Sequence, residues 1–263
     1  MNSLKGKVAL ITGASSGIGK EITLQLASRG VTPVMIARSE EVMQSLQQEI
    51  NKNYNMNSYY YSVDLTDEKE WERTINEIQI TLPAIDIIIN NAGFGIFELF
   101  DQMNWEKAEQ MLLLNTHSLM YTTYRFLPLL KRKSQAHIIN IASQAGRIST
   151  PKAAVYSASK AAVISFTNAL RMELAATDVK VTSVNLGPVK TSFFDQADPS
   201  GKYLSSVGRY MLDPGDVASR ICRIIFTKKR EINLPYWMHI GSKLYQLSPN
   251  LMEKVLRKQF ERK

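Results

Sequence analysis

One cysteine, three histidines and no long apolar run mark this chain of 263 residues, and each scarcity removes a class of protein. A single Cys222 excludes an internal disulfide framework and fits a reducing compartment. It stands in the apolar helical stretch 217–226, where a thiol packs as a small hydrophobe. His117, His137 and His239 lack the spacing of a zinc site, so no metal is expected. No segment offers the roughly 20 apolar residues that span a bilayer. Lys5 and Lys7 are followed by only a short apolar run, so no signal peptide is expected and the location reads as cytoplasmic. Acidic residues are in deficit, 24 against 32 Lys and Arg, for a formal charge of +8. That balance favours anionic ligands, acidic membrane surfaces or nucleic acid. The positive residues are nevertheless spread along the whole chain. Their densest runs, Lys131-Arg132-Lys133, Lys228-Lys229-Arg230 and the last dozen residues, read as solvated faces. With no nucleic-acid motif and no concentrated basic stripe, a nucleic-acid partner is not expected.

What the chain does have is an alternation of short apolar runs with longer amphipathic ones. That pattern predicts an α/β fold, a doubly wound parallel sheet of about seven strands with helices on both faces. Strands are expected over 7–12, 32–37, 58–63, 85–90, 136–141, 179–186 and 231–234. Helices are expected over 18–29, 40–51, 67–80, 105–130, 155–176 and 214–226, the fourth kinked or ended near Pro128. Residues 191–212 carry Gly, Ser and Asp-Pro signals with little periodicity and read as a long functional loop. No repeat, low-complexity tract or linker divides the chain, which predicts one domain over 1–263.

The first strand runs directly into Thr12-Gly13-Ala14-Ser15-Ser16-Gly17-Ile18-Gly19, which opens the first helix. Glycines at 13, 17 and 19 permit a tight turn and close approach of a pyrophosphate to the helix N-terminus. The spacing is GxxxGxG rather than GxGxxG, and its weight comes from its place between an apolar strand and an amphipathic helix. NAD sites carry an acidic residue at the end of the second strand. Here Ala37 takes that place and Arg38 follows it. A carboxylate would repel a 2′-phosphate, whereas a guanidinium binds it with charge-assisted hydrogen bonds, which favours NADP(H) over NAD(H). The competing reading makes Arg38 a surface residue opening the next helix.

Of 11 tyrosines only Tyr156 has a lysine four positions on, Lys160, and on a helix such a pair shares one face. A cation about 4 Å from the phenol, at an effective dielectric of about 20, is worth roughly 4 kcal/mol, or about three pKa units. That predicts a phenol drawn down towards neutrality, where general acid–base catalysis works best. Ser143 follows the fifth strand, at the sheet edge where ligands bind, and its hydroxyl is placed to hold a carbonyl oxygen beside Tyr156.

These pieces together resemble the short-chain dehydrogenase/reductase family, in its shorter single-domain form. The resemblance rests on 12–19, Asp64, Asn90-Asn91-Ala92-Gly93, Asn115, Ser143, Tyr156-Ser157-Ala158-Ser159-Lys160, Leu186-Gly187-Pro188-Val189 and Thr191, in the family's order. It covers 5 to about 235 with no departure at a catalytic position, and it implies a Rossmann-like fold and hydride transfer between nicotinamide and a carbonyl or alcohol. It further implies that Tyr156 moves the proton, Lys160 lowers its pKa and holds the nicotinamide ribose, Ser143 polarises the carbonyl, and Asn115 anchors a water relay. Gly13, Ser15, Ser16, Gly17, Ile18 and Gly19 would hold the pyrophosphate and Asp64 the adenine. Asn91, Ala92 and Gly93 would line the cleft, and Pro188, Val189 and Thr191 the carboxamide. The family implies a homodimer or homotetramer through the helices over 105–130 and 155–176.

Phe94, Phe97, Phe193, Phe194, Tyr203 and Tyr210 are candidates to wall an apolar substrate pocket, with 191–212 as its lid. This points to a hydrophobic ketone or aldehyde. The tail, 236–263, has helical apolar spacing at Ile240, Leu244, Leu247, Leu251, Val255 and Leu256, broken by Pro249. Lys254, Arg257, Lys258, Arg262 and Lys263 make its end basic. The preferred expectation is an apolar face covering the cleft or a subunit contact, with peripheral binding to an anionic membrane as the alternative. A rival of another class is an NADP(H)-binding sensor with little turnover, against which the intact Tyr156, Lys160, Ser143 and Asn115 speak. An extended-branch epimerase or dehydratase is disfavoured by glycine spacing and by the lack of a larger C-terminal domain.

Overall fold

The computed structural model describes residues 4–82 and 84–260, with side chains as far as Val255. The expectations for Leu256, Arg257, Lys258, Arg262 and Lys263 lie outside the described residues. The chain runs β1 (Val8–Thr12), α1 (Gly17–Ala27), β2 (Thr32–Ala37), α2 (Glu40–Tyr54), β3 (Tyr59–Ser62), α3 (Glu68–Thr81) and β4 (Ile87–Asn90). Next come α4 (Trp105–Leu112), α5 (Ser118–Leu130), β5 (Ala136–Ser143), α6 (Ala154–Glu173) and β6 (Val179–Leu186). The rest is α7 (Phe193–Ala197), α8 (Lys202–Val207), α9 (Pro214–Arg223), β7 (Glu231–Leu234), α10 (Tyr236–Leu247) and α11 (Pro249–Phe260).

Among the described residues seven strands form one sheet in the order β3-β2-β1-β4-β5-β6-β7. All six pairings are parallel. Parallel strands are buried on both faces and need apolar residues at every position. Ile87, Ile88 and Ile89 of β4 accordingly have no exposed surface. Alternate residues serve two separate cores. Ala9, Ile11, Met35, Ile87 and Ile89 pack with Ile22 and Leu26 of α1, Leu46 of α2 and Ile221 of α9. Leu10, Val34, Ile36, Ile88 and Ile138 pack on the other face with Trp71 of α3, Phe126 of α5 and Leu170 of α6. The result is the Rossmann-like doubly wound arrangement, and its strand order reverses between β1 and β4. Ligands of such sheets bind outside the carboxyl ends of the strands at that switch point.

Three expectations about elements are corrected. The helix over 105–130 ends near Pro128 as expected, at Leu130, with the proline exposed in its last turn on the solvent side with Tyr124, but it is not one regular helix. A proline there frees a carbonyl one turn back, and at an exposed helix end water satisfies it. The break comes earlier, as a π-turn over Leu113–His117 that joins α4 to α5 and holds Asn115. Nor is 191–212 an irregular loop, because α7, α8 and a 3₁₀ turn over Gly208–Tyr210 occupy it. Finally, β5 runs to Ser143, two residues beyond its expected end.

Cys222 is buried on α9, and burial pushes its thiol up to about 11, the behaviour of a packing group and not a nucleophile. His137 on β5 is fully buried. Its Nδ1 accepts from the Phe226 amide at 2.9 Å and its Nε2 meets Thr182 Oγ1 at 2.9 Å. Since Thr182 Oγ1 donates to the Lys229 carbonyl, the ring is neutral with its proton on Nε2. Burial, helped by Lys180, holds its pKa down at about 3 against an ordinary 6.5. The unfolded chain therefore binds the proton first as pH falls. Stability contributed by neutral His137 is complete above pH 6.5 and drains away towards pH 3, by about 4 kcal/mol at the lower limit. Urea midpoints measured across that window should fall accordingly, and a His137→Gln variant should show a shallower fall.

Candidate active site

A cleft of about 1110 Å³ opens along the carboxyl edge of the sheet, from Arg38 at one end to Tyr210 and Trp237 at the other. Sixteen of the eighteen residues expected in the site line it, from Gly13, Ser15, Ser16, Gly17 and Ile18 to Pro188, Val189 and Thr191. The other two, Gly19 and Asn115, support the lining from behind.

At the β1–α1 turn Gly13 has φ +66°, a left-handed conformation that a side chain would strain. A Cβ on Gly19 would run into the Gly13 carbonyl, so this glycine lets the helix start fold against the turn. Asn91 holds the same turn from β4: its Nδ2 donates to the Thr12 carbonyl at 3.0 Å and the Gly13 carbonyl at 3.1 Å. Thr12 Oγ1 answers by accepting from the amides of Asn91 and Ala92, each at 3.0 Å. This threonine was quoted in the motif without a role, and it is what locks β1 to β4 at the switch point. The first turn of α1 has no acidic residue, and Ser16 makes no side-chain cap, so its amides face the cleft without competition. A dinucleotide pyrophosphate fits this cradle.

At the end of the cleft beyond β2, Arg38 is largely exposed, with Nη1 4.0 Å from Asp64 Oδ2. Asp64 Oδ1 accepts from the amide and hydroxyl of Thr66 at 2.9 and 2.7 Å, which fixes the carboxylate beside the cleft. Ser39, Val63, Leu65 and Thr66 complete this end and had no signal beyond adjacency to expected residues.

The other half holds the polar constellation. Ser143 ends β5, where its Oγ donates to the Leu186 carbonyl and accepts from the Ala145 amide, both at 3.1 Å. Tyr156, one turn into α6, is buried, with its phenol hydrogen-bonded by Ser143. Burial pushes that phenol up to about 12, opposed only in part by Ser143. Lys160 lies one turn on, and its Nζ donates to the Ile141 carbonyl at 3.1 Å. The ammonium sits 6.0 Å from the Tyr156 ring centroid. The expected drop of the phenol pKa towards neutrality is not found, because burial raises the phenol instead. Asn115, in the π-turn, donates to the Phe94 carbonyl at 2.8 Å and Ser159 Oγ at 3.1 Å, and accepts from the Phe94 amide at 2.9 Å. It thereby ties the strand-end loop to α6. A π-turn in a helix often marks a functional site, and this one aims the asparagine inward.

Burial pulls Lys160 down to about 8 from 10.5. At pH 7 the fold carries the charged form at a cost of roughly 3 kcal/mol, less about 1 for its hydrogen bond. Lys160→Met should therefore raise the unfolding free energy of the free protein by about 2 kcal/mol. The sign can be checked by pH. The native protein gains stability as pH rises from about 8 to 10.5 because the unfolded chain keeps the proton longer, and Lys160→Met shows no such gain in urea titrations.

All six aromatic candidates line the cleft beyond Tyr156. Phe97 contacts Tyr156, Phe193, Phe194 and Tyr203 with centroids 5.3–6.4 Å apart. Trp237, Met238, Gly241 and Met252 add a wall from α10 and α11, so the tail does contribute to the cleft.

A family model described as short chain dehydrogenase matches residues 7–200. An uncharacterised oxidoreductase of Staphylococcus saprophyticus is 37% identical over 218 residues, 83% of this chain and 90% of that protein. One of Staphylococcus aureus is 34% identical over 221 residues, 84% and 91% of the two chains. Among solved structures, a serine dehydrogenase complexed with NADP⁺ is 30% identical, covers 86% of this chain and 94% of its own, and has a TM-score of 0.76. An alcohol dehydrogenase of the archaeon Thermococcus sibiricus, complexed with 5-hydroxy-NADP, superimposes with a TM-score of 0.78 over 87% and 95% of the chains at 24% identity, a likeness of fold. Ser143, Tyr156 and Lys160 thus stand at the switch-point cleft of a sequence matched by that model over most of its length, and the chain is an oxidoreductase of the short chain dehydrogenase family.

Proposed function

We propose that the protein uses NADP(H) to reduce a hydrophobic ketone or aldehyde, with Tyr156 as proton donor. The observation that carries this reading is the meeting of Ser143, Tyr156 and Lys160 at the apolar half of a cleft whose other half is a phosphate cradle. The turn at 13–19 and the α1 N-terminus would hold the pyrophosphate, and Arg38 the 2′-phosphate. The nicotinamide, when bound, supplies the hydride. Ser143 orients the carbonyl oxygen by hydrogen bonding. The phenol of Tyr156, with a pKa of about 12, keeps its proton at pH 7 and is ready to give it to the oxygen as negative charge develops there. That protonated ground state favours reduction over oxidation. Lys160, whose ammonium lies 6.0 Å from the Tyr156 ring centroid, would recharge the phenol through Asn115 and water after each turnover.

The segment between β6 and α9 serves as lid. Its ends are pinned, with Lys190 donating to the Leu212 carbonyl at 2.9 Å and the Leu212 amide to the Pro188 carbonyl at 2.9 Å. Between these pins α7 and α8 carry Phe193, Phe194 and Tyr203 over the cleft, which would exclude water around a bound carbonyl. Exposed Trp105, Leu112, Tyr124 and Met172 on α4, α5 and α6 support assembly of a homo-oligomer on those helices. NADPH oxidation assayed with methyl ketones and aldehydes of increasing chain length tests the reading. Specificity, as kcat/KM, should rise about tenfold for every two buried methylenes until the aromatic wall is filled. A flat series, or preference for small polar carbonyls, would exclude the apolar pocket as the substrate site.

A further inference from the structure

Helix α10 is amphipathic in the wrong sense for a helix folded onto a globular body. With residues 100° apart, Tyr236, Trp237, Ile240, Leu244 and Leu247 fall within an arc of about 100°. All five are exposed, Leu247 to 83%. The buried positions of the helix are His239 and Ser242. His239, Ser242 and the half-buried Met238 thus meet the protein while the larger part of the aromatic and aliphatic face looks outward. On α11, Leu251 and Val255, one turn apart, are likewise exposed. Soluble surfaces carry scattered apolar residues, and seven exposed apolar side chains on two successive helices mark a contact.

The charge of the tail sequence selects the partner. Residues 236–263 hold six Lys and Arg against two Glu, a net +4 and half of the chain's +8. Lys243 and Lys254 are exposed beside the apolar arc. Of the acids, Glu253 is engaged by Tyr245 Oη at 2.8 Å, which ties α11 to α10. Tyr236 and Trp237 at the start of the arc are the residue types that favour a membrane–water boundary, and Trp237 packs against the exposed Tyr210 at 5.8 Å. A second copy of so basic a tail would meet it with like charge at a twofold contact.

We infer that α10 and α11 form a docking surface for an anionic lipid bilayer, lying in its interface with the apolar arc inward and the lysines at the phosphates. Gly241 and Met252, on the same two helices, line the mouth of the cleft. Docking therefore sets the apolar end of the cleft at the lipid boundary, where a ketone or aldehyde dissolved in the bilayer enters without crossing water. Contact with lipid is independent of the catalytic reading, whereas entry of a ketone or aldehyde from the bilayer rests on it.

Sedimentation of the full chain with vesicles of phosphatidylcholine, with and without roughly one third phosphatidylglycerol, tests this. The expected result is binding at least about tenfold tighter to the anionic vesicles, weakening as salt is raised. The double substitution Leu244→Glu and Leu247→Glu, on exposed positions outside the cleft, should keep the thermal midpoint and lower vesicle binding at least about tenfold. Equal binding to both vesicle types, or none, overturns the inference. So does a native protein that ignores vesicles and whose mass by light scattering halves in the double variant, which would assign the stripe to a second copy.

Discussion

Tyr156→Phe lowers kcat for carbonyl reduction by about 10³-fold and leaves NADPH affinity nearly unchanged. The ring packs edge-on against Phe97 at 5.9 Å and beside Phe193 at 5.7 Å, contacts that phenylalanine keeps. What it loses is the hydroxyl, which is hydrogen-bonded with Ser143. A positioned general acid contributes about 10²–10⁴-fold, and three powers of ten correspond to about 4 kcal/mol in the barrier. The fold should survive the change, because the ring contacts are kept and the loss of one side-chain hydrogen bond costs only about 1 kcal/mol. Single-turnover kinetics with a fluorescence titration of NADPH separates the two effects. A variant with native kcat would remove Tyr156 from the chemistry, and one that fails to bind NADPH would instead make it a cofactor-binding group.

Arg38→Asp reverses cofactor preference, changing the ratio of NADPH to NADH affinity by about 10²-fold or more. Two contributions act in the same direction. The guanidinium's charge-assisted hydrogen bonds to a 2′-phosphate are lost, at about 1.5–3 kcal/mol, and a carboxylate at the same place repels that phosphate. A carboxylate also accepts from the ribose hydroxyls of NADH. The wide exposure of Arg38 and its 4.0 Å separation from Asp64 leave the guanidinium free to swing to a ligand without breaking a tight pair. Affinities measured for both nucleotides at one ionic strength decide the matter, since screening weakens an exposed charge contact. An unchanged ratio would sink the assignment of Arg38.

Much of this architecture was legible because parallel strands buried on both faces are written as bare apolar runs. Thr32–Ala37, Val179–Leu186 and Glu231–Leu234 fall where those runs predict them. The site was legible for a different reason: Gly13, Ser143 and Tyr156 sit at strand ends or in the first turns of helices, so their place in the sheet follows once the strands are known. What stayed hidden depends on contacts rather than period. Helices α7 and α8, of five and six residues, are too short to show a 3.6-residue repeat. The π-turn at Asn115 leaves the apolar spacing of its helix intact, so the sequence reads as one uninterrupted helix to its end near Pro128. Helical spacing put Lys160 on the face of Tyr156, but the choice of the Ile141 carbonyl over the phenol belongs to β5, 19 residues away in sequence. The outward apolar face of α10 was likewise invisible, since a periodic stripe does not say which side meets the protein.

The central claim is that Tyr156 protonates a carbonyl oxygen while NADPH is consumed, and one measurement addresses it directly. Native protein and Tyr156→Phe are each given NADPH with a panel of apolar ketones and aldehydes, and loss of absorbance is followed together with formation of the alcohol. The account predicts carbonyl-dependent oxidation with one alcohol formed per NADPH in the native protein and almost none in the variant. Tight NADPH binding with no turnover of any carbonyl, or equal turnover by both proteins, would contradict it.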